Sequence, residues 1–160
     1  MINYDNSLVR RQDRLLDNCR AMELLQGGEY GFLAMATVEG GYGVPVNYVV
    51  EKNLLYIHGA PQGRKLEALA HDNRVTFTIV GKSELVPEQF TTAYESILVE
   101  GRASLVDDED VKRHALELFV AKYAPEHIIE GREAIERSAQ RTAVIVIKIE
   151  RVSGKTKIIR

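Results

Sequence analysis

Two segments of the chain alternate apolar and polar residues with a period of two. Val75, Phe77 and Ile79 are interleaved with Thr76 and Thr78, and Ile97, Val99, Ala103 and Leu105 with Ser96, Glu100, Arg102 and Ser104. Alternation of this kind sends successive side chains to opposite faces, so each segment is a strand with one buried face. Four further apolar or β-branched runs, 31–38, 44–50, 54–58 and 144–149, read as strands too. Glu39-Gly40-Gly41 and Glu51-Lys52-Asn53 are the only breaks between the first three, and breaks that short join antiparallel neighbours. Helices do not alternate with strands as parallel crossovers require. The expected fold is therefore mainly β with peripheral helices: a six-stranded antiparallel sheet closed into a small barrel, which removes exposed edges.

Helical spacing fills the rest. Leu15, Leu16, Cys19, Met22 and Leu25 follow the basic cluster Arg10-Arg11-Gln12-Asp13-Arg14 and predict a helix over about 10–27, stopped by Gly27-Gly28. A short helix is expected over 62–71 and another over 128–140. Between them Asp107 is the expected cap of a helix that aligns Val111, Ala115, Leu118 and Phe119 on one face. Phe90 to Ser96 reads as a polar loop entering the long strand, and Lys155, Lys157 and Arg160 as a solvated tail.

The length, 160 residues, suits one domain spanning 1–160. Apolar residues at 45% and charged residues at 28% argue against disorder. With 21 Lys+Arg against 23 Asp+Glu, the net charge of −2 speaks against a nucleic-acid-binding role. The single Cys19 forms no internal disulfide, no apolar run reaches the roughly 18 residues of a membrane span, and Met1 to Asp5 carries no signal-peptide pattern. A cytoplasmic location is expected, without membrane or nucleic-acid partners.

Several common chemistries lack their motifs. Neither a P-loop nor a Gly-x-Gly-x-x-Gly turn occurs, nor a Gly-x-Ser-x-Gly elbow. His58, His71, His114 and His127 lack metal-ligand spacing, so no metal site is expected. One turn stands out: His58-Gly59-Ala60-Pro61-Gln62-Gly63-Arg64-Lys65 leads a strand into a helix and puts two cations at the helix end that disfavours them. Either an anion such as a phosphate binds there, or both side chains extend into water. A second segment, Val44-Pro45-Val46-Asn47, places a proline inside an apolar strand. It is either an edge strand beside a bulge, or a strand whose free backbone groups and Asn47 amide meet a planar heterocycle. Tyr94 and Ser96 are a third candidate, for stacking on a ring and bonding to its edge, against the commoner core-capping role of a tyrosine. Arg10, Arg11 and Arg14 form either a solvated helix face or the rim of a pocket.

Taken together, G-V-P-V-N-Y, Y-I-H-G-A-P-Q-G-R-K-L and V-P-E-Q-F-T-T-A-Y-E-S-I-L-V-E-G-R-A resemble the pyridoxamine 5′-phosphate oxidase-like FMN-binding split-barrel superfamily. Within it the likeness is greatest to the Nim group of nitroimidazole-resistance proteins, whose style the R-R-Q-D-R and R-T-A-V-I-V-I-K-I-E segments share. The resemblance implies a homodimer with FMN held between subunits. It implies that Arg64 and Lys65 hold the phosphate, that Val44, Pro45, Val46 and Asn47 run along the ring and ribityl chain, and that Ile57, His58 and Ser96 contact the flavin. Tyr94 is implied to reach the flavin of the other subunit, and His58 to be the active-site histidine, the one nearby group suited to proton transfer. The chain has no tryptophan and lacks the Trp- and Arg-bearing C-terminal segment of true pyridoxamine phosphate oxidases, so oxidation of that substrate is not expected. The expected function is a flavin-dependent oxidoreductase acting on a small molecule, with nitro compounds as acceptors. The alternatives are a non-catalytic flavin-binding or redox module, and a split barrel using haem or a deazaflavin.

Overall fold

The computed structural model describes residues 1–158. Its secondary structure runs α1 (Asn18–Gly27), β1 (Tyr30–Thr37), β2 (Gly40–Asn47), β3 (Val49–Glu51), β4 (Leu54–Gly59), α2 (Arg64–His71), β5 (Arg74–Val86), β6 (Thr91–Leu105), α3 (Glu109–Tyr123), α4 (Ile128–Ser138) and β7 (Ala143–Lys157). All strands join one antiparallel sheet in the order β2-β1-β5-β6-β7-β4-β3. The two outermost strands are consecutive in the chain, linked only by Tyr48, so the sheet must curl until its ends meet. The result is a barrel split along β2.

The period-two residues fill the interior. Leu33, Leu55, Ile57, Phe77, Ile79, Ile97, Val99, Ile147 and Val152 are fully buried, and α1 closes one end with Ala21, Leu24 and Leu25. A second cluster, built on Val49, Tyr56, Val144, Ala115, Leu116 and Phe119, mounts α3 on the outside of β3, β4 and β7.

Seven strands stand where six are expected, because the predicted run 44–50 breaks at Tyr48. The helix predicted from residue 10 begins at Asn18. Its cap is Asp17, which accepts the N–H groups of Cys19 and Arg20 at 2.8 and 3.2 Å, while Gln12–Arg14 forms a separate 3-10 turn. The loop expected at 90–96 is instead the start of β6. Phe90 turns the chain in a left-handed conformation (φ 48°), and Thr91 to Tyr94 pair with Val86 to Ser83. Nor is the C-terminus a free tail as far as Lys157: the N-terminal segment lies along β7, with Val152 N–H donating to Asn3 O and Leu16 N–H to Gly154 O. Arg160 lies outside the described residues. Asp108 rather than Asp107 caps α3, and packing on Val49, Tyr56 and Val144 buries Lys112, Ala115, Leu116 and Phe119 rather than the expected face, leaving Val111 exposed.

Candidate functional site

The split is positioned by one register. Val49, Val50 and Glu51 of β3 pair with Tyr56, Leu55 and Leu54 of β4, and two positions further on the same register would put Asn47 opposite His58. No pairing exists there, so Val44 to Asn47 and Ile57 to Gly59 form two lips of an open seam. Along β2 only one side is bonded, to β1, which leaves alternate backbone N–H and C=O groups of the other side free. Pro45 sits on this edge strand with no bulge in the β1–β2 register, so the edge half of the earlier reading holds and the bulge does not. The side chains sort by face: Val44 and Val46 pack on the core and Ile57 is fully buried, so none of the three offers a side chain to the seam. Pro45 and Asn47 point outward.

At the head of the seam stands the N-terminus of α2. Gly63 is the cap, at φ 123° and ψ 178°, a conformation that side-chain-bearing residues rarely adopt. With no capping side chain, the first N–H groups of the helix have no intrahelical partner and point outward. The two cations flank this positive end. Arg64 lies over the Tyr42 ring of β2, 4.5 Å from its centroid, with Glu39 at 3.8 Å. Lys65 is half-buried and leans the other way, its Nζ against Gly59 of β4. Among the described residues no carboxylate comes within salt-bridge distance of Lys65. The pair thus straddles the seam, one cation per lip. Tyr42 and Glu39, which steer Arg64, went unnoticed in the sequence because a turn residue and a strand tyrosine carry no local signal of such a contact.

His58 ends β4 with its ring edge-on to Phe119 of α3, centroids 4.5 Å apart and planes at 90°. Although the side chain keeps an exposed edge, the protein atoms packed around the ring push its pKa down from the ordinary 6.5, because partial desolvation disfavours the imidazolium. At neutral pH the ring is therefore neutral.

Tyr94 and Ser96 do not join these residues within one chain. Both lie on β6, in the middle of the sheet, where Ser96 pairs with Val80 and Lys155 and Tyr94 with Ser83 and Lys157. Ser96 lines a cavity of about 400 Å³ with Arg10, Thr78, Ser153 and Lys155, and Tyr94 borders another of about 390 Å³. Of the N-terminal arginines, Arg10 thus reaches a cavity rim, while Arg11 and Arg14 lie beside Asp13. No group of three or more His, Cys, Asp or Glu side chains among the described residues is arranged to hold a metal, and no described helix is long and apolar enough to cross a membrane.

Fold and site define a split-barrel protein of the antiparallel class. The chain belongs to the pyridoxamine 5′-phosphate oxidase family, whose model matches residues 17–156. Among solved structures it is similar to a candidate 5-nitroimidazole antibiotic resistance protein from Bacteroides thetaiotaomicron, at 26% identity and TM-score 0.74 over 89% of this chain and 85% of that one. A flavocytochrome from Azotobacter vinelandii superposes at TM-score 0.73 with 23% identity, covering 89% of this chain and 68% of that one. An FAD and heme binding protein from Mycobacterium smegmatis superposes at TM-score 0.76 with 18% identity, over 88% and 71%. The last two show the shared fold alone. No curated protein sequence matches the chain.

Proposed function

We propose that the chain is a flavoprotein oxidoreductase that holds FMN in the seam between β2 and β4, in a homodimer whose second copy completes each site. One observation carries this reading: Lys65, with no carboxylate partner among the described residues, stands at the uncapped N-terminus of α2 where the seam begins. Helix dipole, free N–H groups and an ammonium together suit a phosphate monoester. Arg64 adds a second charge, since its exposed contact with Glu39 is of a kind worth only about 0–1 kcal/mol and yields readily to a dianion. Membership of the pyridoxamine 5′-phosphate oxidase family supports a flavin in general terms, as do a flavocytochrome and an FAD and heme binding protein among the structural neighbours; the choice of FMN rests on the phosphate argument.

When bound, FMN supplies hydride or electron transfer at its N5 position. The chain's own part is binding and orientation. Free backbone groups of Val44 to Asn47 meet the polar edge of the ring, and Ile57 contributes backbone only. His58, neutral at pH 7, takes up a proton from solvent before it can deliver one to a substrate. Tyr94 and Ser96, remote from the seam of their own chain, serve the flavin of the partner. A nitro compound of the nitroimidazole type is the acceptor we favour, on the likeness to the Bacteroides protein.

Titration with FMN, read by quenching of flavin fluorescence, tests the binding. Lys65→Ala is expected to weaken it by about 1.5–3 kcal/mol, roughly 10- to 150-fold, for a charge-assisted hydrogen bond. Unchanged affinity removes the phosphate role. Bleaching of the bound flavin by a reduced nicotinamide, and its recovery with a nitroaromatic, supports the enzyme. A flavin that no donor reduces supports a binding module instead, and a Soret band gained with haemin supports a haem protein.

A further inference from the structure

The last turn of α3 does something that its place outside the barrel does not require. Its consecutive residues Lys122 and Tyr123 reach the one residue where β2 gives way to β3. Tyr48 N–H donates to the Tyr123 hydroxyl at 3.0 Å, and Tyr48 O lies 2.7 Å from that hydroxyl and 2.9 Å from Lys122 Nζ. Both backbone groups of Tyr48 are therefore taken by a helix. A hydroxyl has one proton to give, and Tyr123 has two carbonyls in reach, Tyr48 O and Glu29 O, each at 2.7 Å. The shortfall is made up on both sides: Lys122 covers Tyr48 O, and Asn47 Nδ2 donates to Glu29 O at 3.0 Å. Lys122 donates also to Gly28 O at 2.7 Å, and its ammonium lies 4.0 Å from the Tyr48 ring centroid and 5.1 Å from that of Tyr123. No carboxylate among the described residues is within 4 Å of it. A half-buried ammonium held by carbonyls and ring faces alone is an expensive way to satisfy a strand break.

One turn earlier the same helix holds the other lip, since Phe119 packs against His58 and stacks on Tyr123 at 5.9 Å. The β1–β2 register, Tyr30 with Asn47, would put Tyr48 opposite Glu29, so Lys122 and Tyr123 stand in for that ladder where the two strands part and fix the root of β2, one lip of the seam. We propose that the C-terminal turn of α3 is a spreader that sets the width of the seam, with Lys122 and Tyr123 as positioning residues for a bound flavin ring. The ligand half of this inference rests on the flavin reading above; the strand-break half does not.

The test uses the full chain with Tyr123→Phe, Lys122→Met and Lys122→Arg, each checked for folding by thermal unfolding. Without ligand, hydrogen exchange at the Tyr48 amide is expected to quicken about tenfold in Tyr123→Phe, which removes its acceptor. Unchanged exchange overturns the spreader. With FMN, Lys122→Met is expected to change the visible circular dichroism of the bound flavin, and Lys122→Arg, which keeps charge and donors, to restore it. Lys65→Ala, acting at the phosphate, weakens binding but leaves that band shape intact. An unaltered flavin band in Lys122→Met and Tyr123→Phe overturns the positioning role. Wild-type protein that takes up no FMN overturns the flavin reading and the ligand half here, while the exchange result still decides the strand break.

Discussion

A neutral histidine at the lip of a seam titrates in a direction that can be worked out. Burial lowers the pKa of His58 below its ordinary 6.5, so in the window below 6.5 the unfolded chain binds a proton that the native chain does not. Stability contributed by this site is therefore full above pH 6.5 and lost as the pH falls. His58→Gln is expected to flatten the acid side of the stability profile, measured by urea unfolding at pH 5 and pH 7; an unchanged slope would show that the ring titrates as in water. Lys122 shifts in the same sense, to about 8, because desolvation by its surroundings disfavours the ammonium and no carboxylate among the described residues offsets it. Single residues differ in how far the sequence betrays them. The place of Arg64 and Lys65 at the start of α2 could be read directly, because two cations at the wrong end of a helix conflict with its dipole over a distance of one turn. Lys122 and Tyr123 could not, since the backbone they serve lies 74 and 75 residues away.

Among the elements, α2 depends most on a single conformation. Gly63 caps it at φ 123° with ψ 178°, a region open to glycine almost alone, where other residues cost about 1–3 kcal/mol. A Cβ there would meet no atom, so Gly63→Ala tests backbone strain without a clash. The expected result is a loss of about 1–3 kcal/mol in urea unfolding or a shifted helix start, with weaker FMN binding in either case. Wild-type stability and affinity together would mean that the cap conformation does not matter. Strand and helix periods showed where most elements lie, and it is their ends that depart from expectation. α1 starts late because Asp17 outcompetes earlier residues as a cap, and β6 starts early because Thr91 to Tyr94 find partners in β5 across a hairpin. Each end is decided by a hydrogen bond to a particular group, which periodicity does not encode.

For the molecule as a whole, the outward face of the sheet is unusually apolar. Tyr30, Phe32, Val80 and Leu98 are 51%, 44%, 52% and 37% exposed, and the register sets Phe32 beside Thr78 and Thr78 beside Leu98. A patch of this kind suits the second copy in the proposed dimer. Phe32→Asp is expected to give a folded monomer by sedimentation, with FMN affinity lost along with dimerisation; a dimer that persists would place the interface elsewhere. The barrel itself was legible from alternation and turn spacing, whereas a pairing of copies such as the one proposed would leave no periodic trace in one chain. The free lip of β2 has one further consequence. A row of unpaired donors and acceptors invites stray strands to zip on and seed fibres, and Pro45, which lacks an N–H, interrupts that row. The ring that spoils the template for polymerisation leaves the carbonyls beside it open, so the same residue that keeps the gap available to the proposed guest guards it against a runaway one.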